Sequence, residues 1–453
     1  MRNNIFNWMK LSSFIFALSS LFASCSNELD EALQPANNGT LQFVVSDFPM
    51  FGEGIQTRVI GTQDEGKTAW ENGDQIIITL TSERFGEQTT AITYDGTNWG
   101  TEVSLSYLEN EIPTVSAVYA PCYEVTVEGV KQLRSGMQLG MCEYLEADCE
   151  IQNGTINISF ADALRTYSRL RIAGLENQTL TVTTTDFTPE GATSVATEPY
   201  TLTTDEKGNA YLYGTFAEGA TVKVKKGDVT LTDYTFTFTT ELIQSYALDA
   251  RPVIDGTLGG KATAEESDIT ALVEQLKAYV DNGITTIIVP GSEPALIEMD
   301  SWTNTAIGEA IYRLSGSDDY DENNPYNGKI DLILQDVTEI VDQEFYSAWA
   351  LNSITLPKVI KIGDEAFHRT WFLKTITFES VLTEVNETGG VMFAQVGKEV
   401  DGCNLFINCG QMKENSVPTP DLATNTWKFK FENEFKSITL THTGACDECK
   451  ANQ

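Results

Sequence analysis

The residues with the widest chemical scope are few and scattered. The chain holds two histidines, His368 and His442, and eight cysteines. So few imidazoles leave little room for nucleophile–His, acid–base or metallohydrolase mechanisms. A carboxylate pair would survive that shortage, but nothing in the sequence sets two of the 65 acidic side chains across a cleft. His442, Cys446 and Cys449 are spaced H-x-x-x-C-x-x-C, three ligands where a closed zinc site needs four. That tail reads as free thiols or a local disulfide; whether it takes a metal stays open. Asp319, Asp321 and Asn323 have the spacing of a calcium loop's first ligands, but Asn324 replaces the glycine and Ile330 the bidentate glutamate. A solvated acidic loop is the simpler account. His368, between Phe367 and Arg369, reads as an exposed turn residue. Phosphate-cradling glycine loops, zinc helices and serine elbows are absent from the sequence. The expectation is a chain with no catalytic residue, no assigned metal and no cofactor.

The formal charge is −36, from 65 acidic and 29 basic side chains. Such a surface repels nucleic acid and anionic lipid heads. Cys142 and Cys149 are spaced to close a loop, and Cys122 reads as a small apolar packer. Cys403 and Cys409 flank the run NLFIN. If that run is extended they lie about 20 Å apart, at roughly 3.3 Å per residue. A disulfide needs α-carbons within about 7 Å, so these two should not pair. The full pairing of the cysteines stays open.

The remaining chemistry is that of a surface, and a repeat would build it. Leu332, Leu334, Val337, Ile340, Phe345 and Leu351 are echoed twenty-two residues later by Ile354, Leu356, Val359, Ile362, Phe367 and Leu373. A third turn starts with Ile376, Phe378 and Val381. A fixed period of this length marks a solenoid, whose units bury their apolar faces only by stacking. LNSITL recurs as LKTITF and FKSITL. Alternation along a strand turns Ile354 and Leu356 inward and Ser353 and Thr355 outward. Thr375, Thr377, Ser437 and Thr439 follow the same rule. Stacking then lines them into hydroxyl rows, with Lys374 and Lys436 nearby, able to bind protein or glycan by many weak hydrogen bonds. Threonine is also simply a good strand former. The L-x-x-L-x-L phrase resembles the BspA-like leucine-rich repeats of bacterial cell-surface adhesins, although Val359 and Val381 stand where many such repeats carry Asn or Cys. Ahead of the repeats, Ser267 is expected to cap a helix with the stripe Ile269, Leu272, Val273, Leu276 and Val280. Gly283 stops it, a strand comes next over 284–289, and a second helix over 305–314. Helix, strand and helix would cap the stack.

The N-terminal half reads as short strands punctuated by turn residues, the pattern of β-sandwiches. Asn72-Gly73 and Asp95-Gly96 signal turns, the latter a hairpin of the primed kind. The run Trp70, Glu71, Gly73, Asp74, Ile76, the later AVYAP and the Thr57-Arg58 pair resemble the fimbrillin family. That resemblance implies two transthyretin-like sandwiches, and proteolytic processing after Arg58. Residues 11–22 form a short apolar run after Arg2 and Lys10, ending in LFAS before Cys25. This resembles a bacterial lipoprotein signal, with cleavage before Cys25 and lipid on its thiol; Phe22 departs from the usual small residue. The acidic SNELDE after Cys25 resembles the export signal of surface lipoproteins in Gram-negative anaerobes.

The expected fold is mainly β: two transthyretin-like β-sandwiches followed by a capped leucine-rich-repeat solenoid. Its divisions are a signal peptide over 1–24, a polar tether over 25–40, sandwiches over 41–160 and 161–255, and a linker over 256–266. The repeat domain with its helical cap covers 267–446, and a tail covers 447–453. The expected role is non-catalytic adhesion or ligand recognition from the outer membrane's outer surface, where only the lipid anchor meets the membrane. Partners would be a host or microbial surface protein or a glycan. Alternatives are a structural, anchor or tip subunit of a type V-like pilus and a glycan-capturing lipoprotein.

Overall fold

The computed structural model describes residues 41–49, 51, 66–101, 103–108, 111–160, 165–298, 303–317, 319–385, 392–412, 420–427 and 435–441. The expectations for 1–40, Arg58, His442, Cys446 and Cys449 lie outside these residues. Strands dominate, and among the described residues α-helix is confined to two segments.

The first unit contains β1 (Gln42–Val45), β2 (Gln75–Ser82), β3 (Gly86–Tyr94), β4 (Trp99–Gly100), β5 (Thr114–Tyr119), β6 (Tyr123–Val125), β7 (Lys131–Leu133), β8 (Leu145–Gln152) and β9 (Thr155–Ser159). Seven of them form one hydrogen-bonded order, β1-β9-β8-β5-β2-β3-β4. The sandwich expectation is met with a twist. The eight residues of β8 are long enough to pair twice, with β5 through 145–147 and with β9 through 148–152. The two layers are therefore parts of one bent sheet. Ile76, Ile78, Ile92, Ile156 and Ile158 share its core. The Trp70 phrase now has a physical role. Trp70 packs edge-on against Phe48 at 4.9 Å and Trp99 at 5.0 Å, and its indole N–H donates to Ser46 O. Gly73 takes φ 94°, and the Asp74 carboxylate accepts the Glu71 N–H at 2.6 Å. The second turn differs from expectation. Tyr94 pairs with Trp99, so the loop has four residues, and the Asp95 carboxylate closes it by accepting the N–H groups of Thr97 and Asn98.

The cysteine expectation is corrected here. Cys122, not Cys149, bonds Cys142, with α-carbons 5.7 Å apart. Cys149 is held in the β8–β9 ladder opposite Ile158 and stays a thiol. Closing a loop of this length contributes about 3 kcal/mol through the unfolded chain.

The second unit is a sandwich of two four-stranded sheets. Its strands are β10 (Ser168–Ala173), β11 (Thr179–Thr184), β12 (Phe187–Pro189), β13 (Tyr200–Thr203), β14 (Asn209–Phe216), β15 (Thr221–Lys226), β16 (Val229–Thr235) and β17 (Ser245–Asp249). The orders are β12-β14-β10-β17 and β13-β11-β15-β16. Alternating Leu180, Val182, Leu212, Val222 and Val224 fill the space between, with Phe187 and Phe216 stacked at 4.3 Å.

The third unit holds α1 (Glu266–Asp281), β18 (Thr286–Val289), β19 (Leu296–Glu298), β20 (Thr303–Thr305), α2 (Ala306–Leu314), β21 (Ile330–Leu334), β22 (Glu339–Ile340), β23 (Leu351–Leu356), β24 (Lys361–Ile362), β25 (Thr375–Phe378), β26 (Glu384–Val385), β27 (Asn404–Asn408), β28 (Pro420–Asp421), β29 (Thr426–Trp427) and β30 (Ser437–Thr441). The N-cap of α1 is Glu265 rather than Ser267, because Asp268 reaches back to accept the Glu265 N–H at 2.9 Å. Ile269, Leu272, Val273 and Leu276 are buried as expected, joined by Tyr279, while Val280 is only half-buried. The stretch over 256–266 is braced rather than free. Asp255 accepts the N–H groups of Thr257 and Gly259, and Ala264 N donates to Leu296 O.

Six parallel strands lie side by side in the order β18-β21-β23-β25-β27-β30. Ile354 and Ile376 are neighbours, as the period requires. The ladder Ile287, Leu332, Ile354, Ile376, Leu405, Ile438 runs the length of the sheet. A second small parallel sheet, β22-β24-β26, and a stack of Phe345, Phe367 and Phe393 spaced 5.6 Å apart repeat the same step. The strand of the expected cap, β18, is itself the first rung, covered by α1. The third turn slips by one residue: Lys361 pairs with Glu384, and Leu382 is buried in place of the expected Val381. The run NLFIN is a strand, and Cys403 and Cys409 at its ends are buried thiols, as expected from its length.

A tight joint links the second and third units. Gly227 sits at φ 57°, and a Cβ there would collide with Asn282 Oδ1. Lys226 Nζ donates to Gly283 O at 3.0 Å, just past the end of α1 where carbonyls lack helical partners.

Candidate functional site

Alternation along each strand of the parallel sheet leaves two outward columns. One contains Thr286, Asp331, Ser353, Thr375, Asn404 and Ser437; the other contains Ile288, Ile333, Thr355, Thr377, Phe406 and Thr439, with Ile288 buried where it pairs with Val253. All six residues expected from the sequence stand on this face, three in each column. They are not contiguous. Strand β27 lies between β25 and β30, and sets Asn404 and Phe406 into the rows. Sequence reasoning missed Asp331, which alternates with Leu332 and Leu334. It also missed Asn404 and Phe406, because the spacing to β27 departs from the period.

The first column is largely satisfied within itself. Asp331 Oδ1 accepts the Ser353 hydroxyl at 2.5 Å and the Asn352 amide at 2.7 Å. Asn404 Oδ1 accepts the Ser437 hydroxyl at 2.8 Å. Thr355, Thr375, Thr377 and Thr439 make no side-chain hydrogen bond among the described residues. These four hydroxyls, beside the half-buried Phe406 ring, are the part of the face free to meet a ligand. Charged pairs border it. Lys358 bonds Asp336 at 2.6 Å and holds its carboxyl below the usual range, while Lys436 bonds Asp401 at 2.5 Å. Lys374 is exposed beside the Asn404 end.

The other candidates are structural. His368 is half-buried, not exposed as expected, and lies edge-on to Tyr346 at 5.3 Å. Burial pushes its imidazole below the ordinary value. In the acidic loop, Asp321 Oδ1 accepts the Asn323 N–H at 2.9 Å, and the Asn324 amide donates to Leu314 O. Tyr320 anchors that loop edge-on to Trp349 at 5.0 Å and Trp371 at 4.8 Å. Among the described residues no group of three His, Cys, Asp or Glu could hold a metal ion. Nor is any helix there long and apolar enough to cross a membrane.

No family model matches the chain, and no curated protein matches it. Among the solved structures that match, two show how faint the likeness is. A candidate cell adhesion protein from Bacteroides fragilis is 11% identical, with a TM-score of 0.24, over 46% of this chain and 92% of that one. The shaft pilin of Lactobacillus rhamnosus GG is 11% identical, with a TM-score of 0.13, over 46% of this chain and 99% of its own. Superpositions this poor say nothing about the role of this chain.

Proposed function

We propose that this chain is a non-catalytic recognition protein, lipid-anchored through Cys25 and displayed on the outer face of an outer membrane. In this reading the third unit is a leucine-rich-repeat solenoid of the BspA-like kind, lifted from the membrane by two fimbrillin-like β units. One observation carries the reading: the in-register parallel sheet holds, in adjoining columns, four threonine hydroxyls with no hydrogen bond among the described residues. Each hydroxyl can donate and accept, so the array suits partners rich in both functions, a glycan or the polar surface of a host or microbial protein. The paired acid–base groups around it supply orientation rather than affinity, since exposed ion pairs contribute little.

Exterior placement is tested by labelling intact cells with a membrane-impermeant amine reagent. The chain is expected to label before lysis, and Cys25→Ala is expected to release it from the membrane fraction. Labelling only after lysis would remove the surface assignment.

A second reading, a structural or tip subunit of a pilus, draws support from β1. Among the described residues this short strand is the edge of its sheet and pairs with β9 alone, in parallel. Processing after Arg58 would leave it joined to the rest by non-covalent contacts alone. A ladder of assembled subunits in a sheared pilus fraction, lost in Arg58→Ala, would favour this reading.

A further inference from the structure

The first and second units meet through residues 138–144, between β7 and β8. Gly140 sits at φ 84°, and a Cβ there would lie 2.9 Å from Pro189 Cβ and 2.9 Å from Tyr213 O. Gly140 O accepts the Tyr213 N–H at 2.7 Å, and Leu139 O accepts the Tyr200 hydroxyl at 3.1 Å. Tyr144 O accepts the Tyr167 hydroxyl at 3.0 Å. The Cys122–Cys142 disulfide ties the same segment back to the start of β6. Anything enclosed at this joint therefore has walls fixed in advance.

A cavity of about 260 Å³ lies there. Tyr123, Lys131 and Tyr144 line it from the first unit and Glu190 from the second. Lys131 Nζ donates to the Tyr144 hydroxyl oxygen at 2.8 Å and lies 5.0 Å and 5.4 Å from the centres of the Tyr144 and Tyr123 rings. Glu190 is half-buried; burial, then the Glu146 carboxylate, pushes its carboxyl up, against an opposing pull from the Gly191 N–H. Lys131 and Glu190 thus face one cavity with opposite charges, yet neither has an ion-pair partner among the described residues. Both charges act on the Tyr123 phenol, whose hydroxyl also has no hydrogen-bond partner among them. Charge taken out of water without a partner is costly, and an incoming group of opposite sign offsets that cost. The volume falls just under the roughly 300–1,000 Å³ of pockets for drug-sized ligands, so it suits one small molecule.

We propose that this cavity binds a free α-amino acid with an apolar side chain. The ligand's carboxylate takes the Lys131 ammonium and the Tyr123 hydroxyl, and its ammonium takes the Glu190 carboxylate. Its side chain lies against the half-buried Leu133 and Leu139, which also line the cavity. Charge selects the zwitterion by leaving its competitors unmatched. An acid alone leaves Glu190 unpaired, an amine alone leaves Lys131 unpaired, and a neutral sugar ring neutralises neither. The site lies between the first two units and does not depend on the recognition face of the third.

The test is isothermal titration of the full chain with L-leucine, leucine amide, isocaproate and glucose. Leucine is expected to bind. The amide, which lacks the carboxylate, and isocaproate, which lacks the amine, should each bind at least about tenfold more weakly, as for loss of one charged hydrogen bond. Glucose should not bind. Lys131→Met should abolish the preference for leucine over its amide and keep the preference over isocaproate; Glu190→Gln should do the reverse. Each variant retains one preference, which a misfolded chain would not. Leucine should also slow amide exchange within 138–144. Absence of leucine binding, glucose binding as tight as leucine's, or both preferences unchanged in both variants would overturn the proposal. So would leucine binding that leaves exchange within 138–144 unaltered.

Discussion

Ile376→Ala is expected to lower the stability of the third unit by about 3–5 kcal/mol in denaturant unfolding, near the top of the range for core truncations. Ile376 is fully buried and stands between Ile354 and Leu405 in adjacent strands. Both neighbours are fixed by ladder hydrogen bonds, so the sheet cannot close over the lost methylenes and a cavity remains. Stacked units depend on their nearest neighbours. The damage should therefore reach β23 and β27, read as faster amide exchange there, and leave the second unit's strands protected. On the same strand Thr377→Ala faces outward and should change stability by no more than about 0.5 kcal/mol. Equal effects from the two substitutions would mean that the sheet does not bury what its register implies.

Glu344→Gln is expected to remove a pH dependence of roughly 3 kcal/mol, the free-energy equivalent of its displaced pKa. Glu344 is fully buried between the N-terminus of α2 and the turn after β22. Desolvation pushes its carboxyl from 4.5 up to about 7. The Thr305 hydroxyl, at 2.8 Å, and the Val341 N–H, at 3.1 Å, pull it back only in part. The sign comes from proton counting. Below 4.5 the group is protonated whether folded or unfolded, and its contribution is fully present. Between 4.5 and 7 the folded chain holds a proton that the unfolded chain has released, so stability falls as pH rises through the folded value. Glutamine keeps an acceptor for Thr305 and carries no charge, but sets an NH2 against the Val341 N–H, a cost that does not vary with pH. The variant's stability should therefore stay level across this window, where the parent's falls. Parallel stability curves for the two proteins would show that Glu344 does not titrate in this way.

The period of the third unit is legible because a stacked strand must repeat its inward residues. Ile354 and Ile376 had to be neighbours if the echo was structural, and they are. The outward positions come from alternation alone. The features hidden from the sequence depend on insertion or on partners distant along the chain. The single extra residue before β26 moves burial from Val381 to Leu382. Longer intervening segments hide β27, and with it Asn404 and Phe406. The disulfide is hidden because a free thiol in a ladder and a bonded one in a turn share the same spacing until the β6–β7 hairpin brings Cys122 to Cys142. The double pairing of β8 and the cap at Glu265 are hidden for a similar reason. Each is settled by which of two similar groups reaches a partner first. In the candidate face, alternation places the hydroxyls correctly but cannot show that Ser353 and Ser437 are already engaged by Asp331 and Asn404.

The most direct measurement is binding of the full chain to arrayed glycans and matrix proteins, compared with a variant carrying Thr355→Arg and Thr377→Arg. Both changes lie on adjoining outward positions of β23 and β25, where the threonine side chains make no hydrogen bond among the described residues. The expected result is a specific set of bound ligands for the parent, and at least about a tenfold loss of affinity in the variant, equivalent to roughly 1.4 kcal/mol, with an unchanged unfolding midpoint. Equal binding by the two proteins, or no binding by the parent, would contradict a recognition role for this face.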